Sequence, residues 1–362
     1  MKKRIFPLLL ALAMVLGLAA CGNGKSNESQ TPGPDGTADA DGIKFAIMFG
    51  VGGLGDNAFN DEVNEGCQMA VEQLGVSYDY CEPQDVSEFE TQLRAYADTG
   101  EYDVIIAIST EMVDALKMVA EDYPEQKFCM LDTAIEGYDN VHCLTASHPE
   151  QHFLSGVLAG LATQDDRFAL ANDQNTLGFC VAMDTPTSNA QAAGFLAGAK
   201  YVNPDVEIIT SYIGSYNDPA TAKEQATTMY ERGADIVSTN SGSSALGVFN
   251  AAKELNQYVI GTSLGMVDPD HSLCTSMKYV QQFIVTECTL LKEGNWHAGV
   301  DVYGIKDGVC DYSLEGVNTE IPQDILDILD DVKSKVADGT LVLPTEIDAI
   351  DAWAAENQYT AQ

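Results

Sequence analysis

Short apolar runs alternate with longer amphipathic stretches from about residue 43 onward, and the alternation occurs twice. Residues 43–49, Ile-Lys-Phe-Ala-Ile-Met-Phe, read as a buried strand followed by a Gly-rich turn. A helix is predicted over 58–74, with Val63, Ala70, Val71 and Leu74 at helical spacing among polar positions. Strands at 76–81, 102–108, 127–131 and 141–146 follow, with helices at 87–97 and 111–120 between them. The second set has strands at 176–183, 206–213, 234–239 and 258–262. Its helices fall at 189–202, 219–233 and 244–255, the middle one ending in glycine, a common helix stop. Strands separated by helices of this length mean βαβ units and parallel sheets, so two successive sets predict an α/β protein with two doubly wound, Rossmann-like lobes. In such sheets ligands bind beyond the carboxyl ends of the strands. Candidate site residues are therefore sought just after each strand.

The first forty residues follow a different pattern. Lys2, Lys3 and Arg4 precede an apolar run over 5–18, then Leu18-Ala19-Ala20-Cys21. A positive start, a short apolar stretch and small residues before a cysteine match a lipoprotein signal at 1–20, with Cys21 the lipidated residue. The run is shorter than the roughly 20 residues a membrane span needs. Residues 22–41 hold mostly Gly, Ser, Asn, Pro, Asp and Thr, and read as a spacer without a core of its own. This places residues 42–362 on the extracytoplasmic face of a cell membrane, attached through a palmitate-type anchor.

Charge narrows the partners. Lys+Arg number 18 against Asp+Glu 55, a net charge of -37, which repels nucleic acid and anionic head groups. Cys67, Cys81, Cys129, Cys143, Cys180, Cys274, Cys288 and Cys310 form no Cys-x-x-Cys pair, and most lie in apolar runs, so they are expected as buried free thiols. Extracytoplasmic location ordinarily favours disulfides, which makes a less oxidising habitat part of this expectation. His148 and His152 are the only histidines four apart, and Pro149 between them marks a helix start, so no metal site or cofactor is read. No His-Glu-x-x-His motif occurs, and no enzymatic activity is expected.

The richest strand end is the first. Gly50-Val51-Gly52-Gly53-Leu54-Gly55-Asp56-Asn57-Ala58-Phe59-Asn60-Asp61 offers backbone amides and polar side chains, but is neither a Walker loop nor a dinucleotide fingerprint. Gly52, Gly53, Asp56, Phe59 and Asn60, with Glu65-Gly66 after them, resemble the basic membrane protein family of solute-binding lipoproteins, also called purine nucleoside receptor-like. The resemblance continues through Gly178-Phe179, Ala193-Gly194-Phe195, Gly198-Ala199-Lys200-Tyr201-Val202-Asn203-Pro204, Gly214-Ser215-Tyr216-Asn217-Asp218-Pro219, Gly233-Ala234-Asp235-Ile236, Leu246-Gly247-Val248-Phe249-Asn250, Tyr258-Val259-Ile260-Gly261 and Gly304-Ile305-Lys306-Asp307-Gly308, in order over roughly 43–310.

The resemblance implies a type I periplasmic-binding-protein-like fold, two lobes joined by a three-crossover hinge. It implies a first lobe of 42–147 plus about 266–298, a second of 148–265 plus about 299–345, and a tail at 346–362. Crossovers would fall near 145–150, 263–275 and 295–303. It implies a nucleoside base held between an aromatic from each lobe: Phe59, and Tyr216 or failing that Tyr212. Asp56, Asn60 and Asp132 would add polar contacts, and Gly242 and Ser243 backbone amides. Two positions depart from the family pattern. Its lysine after the first aspartate is Asn57, and the carboxylate that holds the ribose hydroxyls is replaced by Ser263. Lys278 lies about one residue from the register of the family's other lysine. Asn57, Ser263 and Lys278 complete the candidate site.

The implied function is capture of a small polar, nucleoside-like ligand and delivery to the permease and ATPase subunits of an ABC importer, by a monomer. The alternatives are a ligand-sensing lipoprotein, a binding protein for another solute such as a sugar, and a surface nucleoside hydrolase.

Overall fold

The computed structural model describes residues 42–360. The leader at 1–20, Cys21 and the spacer to residue 41 lie outside the described residues. No helix among the described residues is long and apolar enough to cross a membrane.

The chain builds the first lobe in the order β1 (Lys44–Met48), α1 (Phe59–Leu74), β2 (Ser77–Cys81), α2 (Phe89–Thr99), β3 (Val104–Ala107), α3 (Val113–Asp122), β4 (Phe128–Leu131) and β5 (Val141–Ala146). It then passes to α4 (His148–Ala162), β6 (Thr176–Val181), α5 (Pro186–Val202), β7 (Glu207–Tyr212), α6 (Pro219–Glu231), β8 (Ala234–Thr239), α7 (Ala245–Leu255), β9 (Tyr258–Gly261) and β10 (Ser272–Lys278). The remaining elements are α8 (Gln281–Glu293), β11 (Gly299–Tyr303), β12 (Cys310–Ser313), α9 (Gln323–Ala337) and α10 (Ile350–Glu356).

The strands form two six-stranded sheets, ordered β11-β5-β4-β3-β1-β2 and β12-β10-β9-β8-β6-β7. Every pairing is parallel except β10 with β12, which is antiparallel at the sheet edge. Parallel strands are covered on both faces, which is why β3 and β4 are buried at every position while the edge strands β2 and β7 are half-exposed. Alternate residues of β1 serve opposite faces. Phe45 and Ile47 join Val63, Cys67, Phe283 and Ile284 from α1 and α8. Ala46 and Met48 join Phe89, Leu93, Leu116 and Val119 from α2 and α3.

In the second lobe α4 and α5 touch backbone to backbone. A Cβ on Gly194 would stand 2.0 Å from the Pro149 carbonyl oxygen, and one on Gly198 would stand 2.1 Å from that of Phe153. Only glycine permits that approach. The eight cysteines among the described residues are free thiols, all buried except the half-buried Cys81.

The expected lobe boundaries need correction. Residues 266–298 do not all belong to the first lobe, because Ser272–Lys278 is a central strand of the second sheet, between β9 and β12. Gly299–Tyr303 belongs to the first lobe, where it pairs with β5. Residues 346–360 are not a loose tail: α10 packs on α5, Trp353 stacks near Tyr201, and the Tyr359 amide donates to the Tyr201 carbonyl. Strand β10 escapes sequence reading because it carries Ser272, Thr275, Ser276 and Lys278 in a fully buried run; Ser276 Oγ lies 2.6 Å from Ser155 Oγ, and Ser272 Oγ accepts the Asp268 amide at 3.0 Å.

The chain therefore crosses between lobes at Ala146–His148, at Lys278–Gln281 and between Tyr303 and Cys310. The crossings at 263–275 and 295–303 are displaced accordingly. The three strands of chain are bonded to one another: the Ser147 amide donates to the Tyr303 carbonyl at 2.8 Å, and the Tyr279 amide to the Val309 carbonyl at 2.9 Å.

Candidate functional site

A cavity of about 260 Å³ lies between the lobes at the carboxyl ends of the strands, lined from both sides. This is the location that doubly wound sheets favour, and the size suits a compact small molecule rather than a polymer.

The first-lobe wall is centred on one segment, Gly50 to Glu62, with residues after β2, β3 and β4 beside it. The loop after β1 turns through left-handed residues Gly53, Gly55 and Asn57, and is tied down by its own side chains. Asp56 accepts hydrogen bonds from the Ala58, Asn60 and Asp61 amides and from Asn60 Nδ2. Asn60 Oδ1 accepts the Gly50 amide at 2.8 Å, and Glu82 at the end of β2 accepts the Leu54 amide at 2.8 Å. Asp56 and Asn60 thus line the cavity, while much of their hydrogen-bonding capacity shapes the loop and starts α1. Asn57 does not line the cavity. It is exposed, its amide donating to Asp61 at 2.8 Å. Its carbonyl instead lies under Gly265 of the second lobe, where a Cβ would come within 2.9 Å. The residue at the lysine position therefore sits at a lobe-to-lobe contact.

Phe59, the first residue of α1, presents its ring to the cavity. The Lys278 ammonium stands 4.9 Å from the ring centroid and makes an ion pair with Asp132, which follows β4 in a left-handed conformation. Lys278 ends β10 and Asp132 ends a first-lobe strand, so this pair joins the lobes at the second crossover. Ser109, Thr110 and Glu111 after β3 and Thr133 beside Asp132 complete this side, with Thr110 and Thr133 hydroxyls 3.0 Å apart.

The second-lobe wall is assembled from many strand ends. Tyr216 follows β7, and its hydroxyl lies 3.2 Å from Ser188 Oγ. Its ring borders Gly242, which with Ser243 follows β8. Of the two tyrosines considered, Tyr216 lines the cavity and Tyr212 does not: Tyr212 is 41% exposed and bonds Asn189 outside it. Beneath Tyr216 runs a buried amide relay. Gln191 Nε2 donates to Gln151 Oε1 at 2.8 Å, and Asn240 Nδ2 to Gln191 Oε1 at 2.7 Å. Sequence reasoning missed these three residues because they come from α4, α5 and the end of β8, far apart in the chain.

It also missed Glu62, one helical turn after Phe59 on the same face of α1, a spacing that marks shared orientation. Glu62 faces Ser263 and Lys278 across the cavity. Burial pushes its carboxyl up to about 7, against the opposing pull of the Ser263 hydroxyl and the Lys278 ammonium. Glu62 thus places a carboxyl group of the first lobe beside Ser263 of the second. Nearby on α4, His148 and His152 are one turn apart. His152 is wholly buried with neither ring nitrogen bonded, and burial drives its pKa down to about 3, so it is a neutral core side chain.

Comparison with known proteins agrees with this architecture. Residues 43–339 match the model of the PnrA-like ABC transporter substrate-binding proteins. The chain is 29% identical to the ABC transporter nucleoside-binding protein BmpA of Lactococcus lactis, over 96% of this chain and 100% of that one. It is 28% identical to an uncharacterized lipoprotein of Pyrococcus abyssi, over 85% of this chain and 76% of the other. The crystal structure of an ABC transporter system solute-binding protein from Aeropyrum pernix superposes with a TM-score of 0.76 at 28% identity, covering 87% of this chain and 98% of that one. With a family model spanning most of its length and a cleft built at the strand ends of two lobes, the chain belongs to the PnrA-like family of ABC transporter substrate-binding proteins.

Proposed function

We propose that this protein captures a nucleoside-like ligand in the interlobe cavity and hands it to the membrane subunits of an ABC importer while anchored through Cys21. The observation that carries the ligand class is that two aromatic residues, Phe59 and Tyr216, line the cavity, one from each lobe. Rings of this kind hold a flat heterocycle with about 1–3 kcal/mol per base. Glu62, Ser263 and Lys278 offer an acceptor and donors for the hydroxyls of an attached sugar. The name of the Lactococcus relative, a nucleoside-binding protein, points the same way. The leader and the name of the lipoprotein relative support the tether and its lipid.

A thermal-shift screen of purified protein against nucleosides, free bases and monosaccharides tests the ligand. A nucleoside at 100 times its dissociation constant adds about 2.7 kcal/mol of stability. Stabilisation by monosaccharides alone would move the reading to a sugar-binding protein, and stabilisation by nothing would remove it. Incorporation of labelled fatty acid, lost in Cys21→Ser, tests the anchor. Co-purification with a permease separates import from sensing.

A further inference from the structure

On the outer edge of the first lobe, well away from the cavity lining, three side chains distant in sequence meet. His142 is the second residue of the buried strand β5, Asp301 lies on the edge strand β11, and His297 sits just before it. One donor atom from each lies within 4.8 Å of the other two. His142 Nε2 is 3.3 Å from Asp301 Oδ2, and His297 Nε2 is 3.4 Å from the same oxygen. Those separations are long for a charge-assisted hydrogen bond, which runs roughly 2.7–2.9 Å. They match the edge of a tetrahedron around an ion with bonds of about 2.0–2.1 Å, which is roughly 3.3–3.4 Å.

The surroundings are those of a metal ligand. His142 is fully buried, and its other nitrogen, Nδ1, faces Glu287 Oε2 at 2.6 Å. Trp296 Nε1 donates to the second oxygen of Glu287 at 2.8 Å. A carboxylate that receives Nδ1–H fixes the tautomer, leaves the Nε2 lone pair free and raises its basicity. His297 and Asp301 are partly exposed, so an ion has a path in and a fourth coordination position opens to solvent.

We propose that His142 Nε2, His297 Nε2 and Asp301 Oδ2 form a binding site for a divalent ion of the zinc class, oriented by Glu287. Two imidazoles and one carboxylate suit zinc and its borderline neighbours better than calcium or magnesium, which prefer all-oxygen shells. The bound ion would clip β11 and the turn before it to β5. That strand leads directly into the third crossover after Tyr303, so the clip stiffens one anchor of the hinge.

The test uses full-length protein without a histidine tag, stripped by chelator and titrated with zinc chloride under calorimetry. One zinc per chain is expected, with a rise in melting temperature. Substitution of cobalt should give the visible absorption of a tetrahedral site. His297→Ala and Asp301→Asn alter exposed side chains and should fold normally while losing the zinc and the cobalt spectrum. Glu287→Gln should weaken zinc by 10–100-fold, the usual loss when the partner of a ligating histidine is changed. Absence of saturable zinc binding in the wild type would overturn the proposal, as would binding and a cobalt spectrum unchanged in both Asp301→Asn and His297→Ala.

Discussion

The two walls of the cavity are built in opposite ways. The first-lobe wall is built around one continuous segment, Gly50 to Glu62, whose polar side chains are partly consumed in holding their own loop, with the ends of β3 and β4 beside it. The second-lobe wall draws Gln151, Gln191, Tyr216, Asn240, Ser243 and Ser263 from separate elements, and each is positioned by packing beneath it. Local hydrogen bonds shape one wall and helix contact shapes the other. The first should tolerate distant mutations and fail by local ones, and the second the reverse.

The largest effect should come from Gly198→Val. Its branched side chain would meet the Phe153 carbonyl of α4, force α4 and α5 apart, and separate Gln151 from Gln191. Overpacking against backbone should cost about 3 kcal/mol. Urea denaturation measures it, and an unchanged midpoint would mean that the helix contact does not support the second-lobe wall.

Phe59→Ala is the opposite case. It should leave folding nearly intact and weaken a nucleoside by about 1–3 kcal/mol, or roughly 5- to 160-fold. Calorimetric titration beside Tyr216→Ala would show whether both rings contribute. Loss from one alone would break the sandwich reading.

Acid should act on the second lobe through His152. Its folded pKa of about 3 lies below the ordinary 6.5, so between those values the unfolded chain takes up a proton that the folded chain refuses. Stability therefore rises with pH across that window and falls on acidification, by at most about 1.4 kcal/mol per pH unit from this group. His152→Leu should flatten the slope in denaturation curves taken from pH 6.5 to 4. An identical slope would assign acid sensitivity elsewhere.

The smallest effect belongs to Glu62. With its carboxyl near 7 in the free protein, ligand hydroxyls that donate to it favour the ionised form. Affinity should then rise with pH, roughly fivefold between pH 6 and 8 if binding lowers the pKa by one unit. Glu62→Gln should remove the dependence. Affinity that falls over the same range would mean a protonated Glu62 acting as donor.

The difference between the walls also explains what could be read in advance. The Gly-rich loop, Phe59 and the following helix are contiguous, so the resemblance to a family motif could carry this segment of the first-lobe wall. Asn57 was misplaced because a residue in a left-handed turn points where the turn sends it, and here that is toward Gly265. Strand β10 hid behind its serines and threonine, and α10 behind a short run after a Pro-containing loop. Both are held by partners that sequence distance conceals.

By itself, the sequence determined the βαβ rhythm, the number of lobes and the strand ends where a ligand would sit, because hydrophobic period and turn residues act over a few positions. Tertiary structure alone decided where the chain crosses between lobes. It decided that Glu62 faces Ser263 and that Tyr216, not Tyr212, lines the cavity. It also decided that His142, His297 and Asp301 meet at one sheet edge. Strand order and crossovers bring Glu62 to Ser263 and His142 to Asp301 across more than a hundred positions, and such pairings leave no local trace in the chain.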